Sequence, residues 1–398
     1  MHGPSRRWIS LALVTALGLG SASALVAAPP TKATGFREEP AKRAHGLLAN
    51  WSSPQAAQPQ ANMSVSDLAS PPLDVIEPVG AGLPCDDCVP EPHTDCIAPL
   101  WRHRNGVFAE ALFLRPGNVD VIYAIEQTGP LVTDSPTGPV GRVGLDNEMG
   151  FRVGFSHAMS ECSSIVATYT WFDADTSDFI TATPGTVLAL NVGSPTVANV
   201  GATSIESGAD YRISFQQVDL DYRSLLYGSQ NSAVNYFAGV RYANLDQEFT
   251  AAQVTGVATG LTTVATDIDF DGFGIGFGLD GEKRSQYSGL LVYGKASASF
   301  VSGEFKASFA QANQFGAAPP IRNEFEDYRV VSILQTELGL GWMSQSGRLR
   351  ITGGYQYAGW FNSLTTGTYI EGIQEGEFAE LQETLTFDGL VSRVEWRF

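Results

Sequence analysis

Basic clusters are missing from this chain, and so are long apolar runs beyond its first 30 residues. Lys and Arg together number 24 against 42 acidic residues, giving a formal charge of -18 over 398 residues. No stretch gathers the cations that phosphate recognition requires, so nucleic acid is excluded as a partner. Charged residues of either sign make up only 17% of the chain, thin for a soluble enzyme of this length, while glycine is abundant at 42. Without an apolar run of about 20 residues past position 30, no helix of the mature chain can cross a bilayer, and a membrane crossing has to be made with strands. Cysteine and histidine are scarce as well, at four and five.

What is present begins with an export pattern. Arg6 and Arg7 precede an apolar stretch from Trp8 to about Gly20, followed by small residues at Ala22-Ser-Ala24 and Val26-Ala-Ala28 and then Pro29-Pro30. That order describes a secretory signal peptide over residues 1–28. Residues 29–104 are rich in Pro, Ala, Ser and Gln, as in Pro54-Gln-Ala-Ala-Gln-Pro-Gln60, and carry no sustained period. They read as a disordered periplasmic tether.

From residue 105 to 398 the texture changes to alternation punctuated by glycine. Ten strands are expected, near 106–116, 147–158, 162–176, 210–227, 232–249, 266–280, 287–305, 325–343, 347–361 and 383–398. Short connections alternate with long polar ones, the asymmetry of periplasmic turns and external loops in outer-membrane barrels, and an even strand count returns both ends to one side. The fold expected is all-β: an antiparallel transmembrane β-barrel of about ten strands. It would have twelve if Val119–Ile125 and Thr186–Asn191 joined the wall.

The register supports this reading strand by strand, because an Arg facing lipid at mid-bilayer would cost about 2 to 4 kcal/mol. Val234, Tyr236, Val240 and Tyr242 oppose Asn235 and Arg241; Leu349, Ile351, Tyr355 and Tyr357 oppose Arg350, Thr352 and Gln356. The last strand sets Val394, Trp396 and Phe398 against Arg393, Glu395 and Arg397, and the aromatic stripe is the expected C-terminal assembly signal. The candidate lumen residues are Glu110, Arg152, Asp219, Asp221, Arg223, Arg241, Arg329, Glu337, Arg350, Arg393 and Glu395. They could form a charged constriction that sorts solutes, or salt bridges that fill a narrow barrel. One segment resists: Asp267, Asp269 and Asp271 share the odd-numbered face of Phe273, Ile275, Phe277 and Leu279. Either a bulge near Gly272 flips the register or the acids stand above the bilayer, and we favour the rim.

Few residues suggest chemistry. Asp267-x-Asp269-x-Asp271-Gly272 opens like a calcium loop, but Gly278 stands where a bidentate Glu is needed. Cys85, Cys88, His93 and Cys96 could ligate zinc, yet an exported chain meets an oxidising compartment. Cys85, Cys88, Cys96 and Cys162 are therefore disulfide candidates, with Cys162 beside a periplasmic turn and a bridge to the tether within reach. His2 lies in the leader, His45, His93 and His103 in the tether, and His157 at a periplasmic strand end. A His-dependent hydrolytic site at the outer rim is not expected. The reading is of no enzyme, no catalytic or metal site, and no cofactor.

The segments Glu110-Ala-Leu-Phe-Leu114, Gly150-Phe-Arg-Val-Gly154, Phe237-Ala-Gly-Val-Arg-Tyr242, Phe270-Asp-Gly-Phe-Gly-Ile-Gly276 and Thr386-Phe-Asp-Gly-Leu390, in that order, resemble the Legionella-type pore-forming major outer-membrane protein family. The resemblance spans about 106 to 398 and leaves the tether uncovered. It implies an outer-membrane pore or porin-like surface protein without a cofactor, and carries no named functional residues across. The expected function is passive passage of small hydrophilic solutes or ions. The alternative is a structural or adhesive surface barrel with a closed lumen and partner-binding external loops. Expected partners are outer-membrane lipid, the barrel-assembly machinery, envelope or cell-wall components reached through the tether, and further copies of the chain.

Overall fold

The computed structural model describes residues 99–129, 135–194, 204–255, 261–285, 287–313 and 320–398. The leader, the tether up to residue 98 and three of the four cysteines lie outside the described residues.

Ten antiparallel strands close into a barrel. They are β1 (Gly106–Gly117), β4 (Glu148–Ser160), β5 (Ser163–Thr181), β7 (Ser204–Gly228), β8 (Ser232–Thr255), β9 (Leu261–Arg284), β10 (Leu290–Asn313), β11 (Ile321–Met343), β12 (Leu349–Ser363) and β13 (Glu383–Arg397). Around the wall the order is β1-β13-β12-β11-β10-β9-β8-β7-β5-β4, and β1 pairs with both β13 and β4, so no edge is left open. Closure is what hydrocarbon demands, since an unpaired backbone amide there has no water to turn to. The remaining strands, β2 (Val121–Gln127), β3 (Pro136–Val143) and β6 (Val187–Leu190), make a separate sheet in the order β3-β2-β6. The barrel is thus ten-stranded, as expected. The two segments that might have raised it to twelve are strands, but they belong to this second sheet.

All ten expected strands are found, and several run further at their external ends than their alternation suggested. β7 to β11 have 23 to 25 residues, against 12 to 15 for β1, β4, β12 and β13. A tilted strand needs only 9 to 11 residues to cross a bilayer. The excess stands outside as a tall wall on one side of the barrel.

The polarity of that wall shows where the membrane stops. On β7, Val218, Leu220 and Tyr222 face out while Asp219 faces in; higher on the same strand, Asp210 and Arg212 face out while Tyr211, Ile213 and Phe215 are buried inside. β8 repeats the change, from outward Val240 and inward Arg241 to outward Glu248 and inward Leu245 and Phe249. On β9, Phe273 and Ile275 are 59% and 61% exposed on the outer face, and Asp267, Asp269 and Asp271 continue that face above them. Pairing to β8 and β10 runs unshifted through Gly272. No bulge intervenes, and the acids stand on the rim.

The core sits inside the external half of the barrel. Leu112, Leu114, Phe172, Ile213, Phe270, Phe305, Trp360, Leu385 and Phe387 are all 0 to 1% exposed. Helix α1 (Thr366–Glu375) folds into the same space with Tyr369 and Ile370 buried. Its start is fixed twice. Thr365 caps it by accepting from the Thr368 amide, and Gln247 from β8 accepts from the Thr366 amide at 3.2 Å while donating to the Leu364 carbonyl at 2.8 Å. Asn362 takes a left-handed φ of 62° where β12 turns into this segment, and Gly376 ends the helix with φ 71°.

The membrane boundary drawn by polarity is testable. Leu338, 71% exposed on the outer face within the apolar belt, should lose about 2 to 4 kcal/mol on replacement by Arg. Glu326→Arg, further up the same face, should stay within about 0.5 kcal/mol of wild type. Equilibrium unfolding from phospholipid vesicles measures both, and equal losses would put the boundary elsewhere.

Candidate functional site: a charged chamber in the lumen

Below the apolar core the inward positions of the wall turn polar, because in the membrane-crossing half only the interior can keep charges wet or paired. They enclose a cavity of about 130 Å³. Seven carboxylates and seven strand-borne cations line it, and Arg102 and Arg104 add two cations at its lower end.

The pairs form a network that reaches across the lumen. Arg152 on β4 donates to Glu110 on β1 at 2.7 Å, to Thr170 on β5 at 3.0 Å, and to Gln356 on β12 at 3.2 Å. Glu110 also accepts from Arg393 at 3.0 Å. Arg393, whose guanidinium lies 3.7 Å from the centre of the Phe108 ring, continues to Glu395 at 3.4 Å. Glu395 accepts from Arg397 at 2.7 Å and from Arg350 at 3.2 Å. Arg350 ends the chain at Glu282, 2.8 Å away on β9. Two smaller sets stand beside it: Arg241 donates to Asp219 at 2.5 Å and to Ser299 at 2.9 Å, and Arg223 donates to Asp280 at 2.8 Å, with Asn235 on the same carboxylate at 3.0 Å. Tyr293 donates to Glu337 at 2.7 Å.

Ten of the eleven lumen residues expected from sequence line this chamber. Arg329 does not. It faces inward but higher up, where it bonds Asp327 at 2.8 Å and the Leu381 carbonyl at 2.6 Å and lies over the Phe305 ring. Its cation helps pin the loop beneath the cap. The sequence reading missed Asp280, Glu282, Lys295 and Arg397. Glu282 is lost because the charged run from Gly281 reads as a turn, whereas β9 continues to Arg284, and Asp280 ends the expected strand. Even-numbered parity, carried through Asp280 and Glu282, would have found them. Gly276 on β9 leaves room in the wall of the chamber: a Cβ there would meet nothing closer than 3.4 Å.

His103 belongs to the mouth of the lumen and not to a tether. Its ring is 2.8 Å from the Ser164 hydroxyl and 3.1 Å from the Asn235 amide oxygen. Cys162 is disulfide-bonded. Cys85, Cys88 and Cys96 lie outside the described residues. The C-terminal stripe faces outward, with Val394, Trp396 and Phe398 exposed by 49%, 50% and 69%.

A closed antiparallel barrel with an apolar outer belt, an acidic outer rim and charges held inside is an outer-membrane β-barrel. The chain belongs to the family of the Legionella pneumophila major outer membrane protein precursor, which it matches over residues 97–398. No curated protein matches it at significance. Among solved structures, it is similar to the outer membrane protease OmpT from Escherichia coli at 10% identity, covering 74% of this chain and 97% of that one with a TM-score of 0.42. It is also similar to a Pseudomonas aeruginosa FadL homologue, at 9% identity, 75% and 90% coverage and a TM-score of 0.23. The Pseudomonas putida toluene transporter TodX follows, at 6% identity, 74% and 90% coverage and a TM-score of 0.25. The protein is placed in the outer membrane by its family.

Glu110 joins the Arg152 and Arg393 branches of the network, with a side chain only 3% exposed between two guanidinium groups. Removing it takes away the carboxylate that Arg152 pairs with and leaves Arg393 with Glu395 alone, so Glu110→Ala should destabilise the folded barrel by about 3 kcal/mol, the low end for a broken buried pair because the chamber has room for water. Glu110→Gln, which keeps the volume and one acceptor oxygen, should lose less. Chemical unfolding in vesicles separates the two.

Proposed function

We propose that this protein is an outer-membrane surface barrel whose lumen is closed at rest, and that its tall external wall and cap are what it presents to the outside. The observation that carries this reading is the packing of the external half. Phe172, Phe215, Trp360 and Phe387 meet ring to ring, with centroids 4.7 to 6.1 Å apart, and Phe270 stacks on Phe305 at 4.5 Å. Helix α1 and the β3-β2-β6 sheet add Tyr369, Ile370, Tyr123 and Val121 to the same cluster. Hydrated ions do not cross a packed apolar layer of this kind, because the water around them would have to be stripped with nothing in exchange. The external face above the belt is acidic, which suits contacts with cationic partners. The outward Val394, Trp396 and Phe398 stripe is the part we assign to recognition by the assembly machinery.

One observation favours a second reading, passage of small hydrophilic solutes or ions through a gated form. A barrel filled only for stability would have no use for a charge-lined cavity, and this one keeps about 130 Å³ free. In that reading the chamber charges set the preference once the apolar layer is displaced. Neither reading gives the lumen a catalytic task.

Planar-bilayer recording with purified, refolded protein tests the proposal. Wild type, shown to be folded by heat-modifiable gel mobility, should stay electrically silent at high protein input. Steady openings of the unmodified protein would overturn the closed lumen and establish the diffusion pore. Brief, voltage-dependent bursts would favour the gated form.

A further inference from the structure

We propose that Pro99–Arg104 is an acid-releasable strap that shuts the periplasmic mouth of the lumen. The segment leaves β1 at Asn105, whose side chain accepts from the Ala158 amide at 2.9 Å and whose carbonyl accepts from the Phe398 amide at 2.9 Å. From there it crosses to the other side of the barrel. Leu100, 5% exposed, is buried with Leu225, Ala233, Leu291 and Met343, which come from β7, β8, β10 and β11, on the side of the wall away from β1. Trp101 packs over Gly228 at the foot of β7, where even a methyl group would meet its Cβ at 2.8 Å.

Between those ends the strap is held on the rim from two directions. Arg102 pairs with Glu161 at 2.7 Å, and the His103 amide donates to the Glu161 carbonyl at 2.8 Å, both at the β4–β5 turn. Arg104 donates to the Ser346 carbonyl at 3.0 Å on the β11–β12 turn. Nothing in these contacts resembles the aromatic layer at the other end. One buried leucine, the half-buried Trp101, one ion pair and a handful of hydrogen bonds close the mouth.

His103 is the residue that makes the closure sensitive to acid. Its ring is inserted between β5 and β8, where one nitrogen accepts from Ser164 and the other donates to Asn235, an arrangement that a neutral imidazole satisfies. The charged groups facing it are Arg223 from β7, Asp280 from β9 and Arg397 from β13. Asp280 is already engaged by Arg223. Burial, and after it the Arg223 guanidinium, holds the imidazole pKa down to about 4 from 6.5, against the opposing pull of Asn235 and Asp280. The sign follows. Between those values a released strap binds a proton that the seated strap refuses, so closure is fully present at neutral pH and weakens as pH falls from 6.5 towards 4.

Cys162 supports the same geometry. It is disulfide-bonded and packs against the Leu100 cluster. The other three cysteines all precede the strap in sequence, so a bond from Cys162 to any of them, with Asn105 fixed at the foot of β1, holds a released strap at both ends and keeps it beside the mouth. The inference concerns the periplasmic mouth alone and holds whether or not the apolar layer at the external end ever moves.

Amide hydrogen exchange of the full-length folded protein in detergent micelles, read by mass spectrometry on peptides covering 99–105 and corrected for the intrinsic pH dependence of exchange, tests it. At pH 7.5 the segment should be protected. At pH 5 its opening should increase roughly 30-fold, the factor given by one proton with pKa 6.5 released and about 4 seated. His103→Gln, which keeps a polar side chain but cannot titrate, should remove that increase, and Leu100→Asp should unseat the strap at both pH values. Protection in wild type that does not change with pH, or an acid response that survives in His103→Gln, would overturn the proposal. So would a Leu100→Asp strap as protected as wild type.

Discussion

The structure depends on one constraint: in hydrocarbon a backbone amide that does not bond to protein bonds to nothing. Ten strands that close on themselves answer it, and closure then dictates where every side chain can go. The lipid side of the crossing half takes Val240, Phe277 and Leu338; the inner side inherits every charge those strands carry. Charges confined to a narrow tube must find each other, so Arg152 reaches from β4 to β12 and Arg350 from β12 to β9. The chamber network is therefore the interior counterpart of the apolar belt and not an independent feature.

Where the strands rise beyond the bilayer the same rule runs in reverse. Water now lies outside, so Asp267, Asp269 and Asp271 face out, and Ile268 and Phe270 turn in to be covered. The wall needs an inner filling at that height, which helix α1 and the small β3-β2-β6 sheet provide. A register carried unshifted through β8, β9 and β10 thus yields a wet lower lumen and a dry upper one. The apolar filling of the upper lumen follows from how far the wall extends past the membrane.

This inversion also explains which parts of the molecule could be read from sequence. Alternation of apolar and charged residues, as in Val234–Tyr242 and Val391–Phe398, marked the crossing strands, their parity and the inward charges, since lipid on one side and water on the other give opposite demands at every step. The family resemblance, carried by segments such as Phe237–Tyr242, agreed. Above the membrane the signal fails. Tyr211, Ile213 and Phe215 on β7 obey the same period as Val218 and Leu220, but on the opposite face, and nothing local says that the solvent has changed. The upper ends of β7 to β11 looked like loops for this reason. His103 was assigned to a tether because a six-residue strap has no period to betray it; only its fit against Ser164 and Asn235, 61 and 132 residues away, reveals its place.

The two seals differ in strength by a margin large enough to order events. A fully buried Leu, Phe or Trp contributes about 1.5 to 3 kcal/mol by leaving water, and the external layer holds many such side chains within one cluster that includes a helix and a second sheet. The periplasmic seal holds Leu100 in a cluster of five buried residues, plus rim bonds that water can replace. Local opening draws on the least stable unit first. On the proposed strap, the lower mouth opens before the upper layer does, and the chamber would then communicate with the periplasm while still shut to the exterior. A barrel arranged this way behaves as a blind charged pocket facing inward, and any solute that crossed it would have to wait there, among Glu110, Arg152 and Lys295, for a much rarer rearrangement of the aromatic layer above.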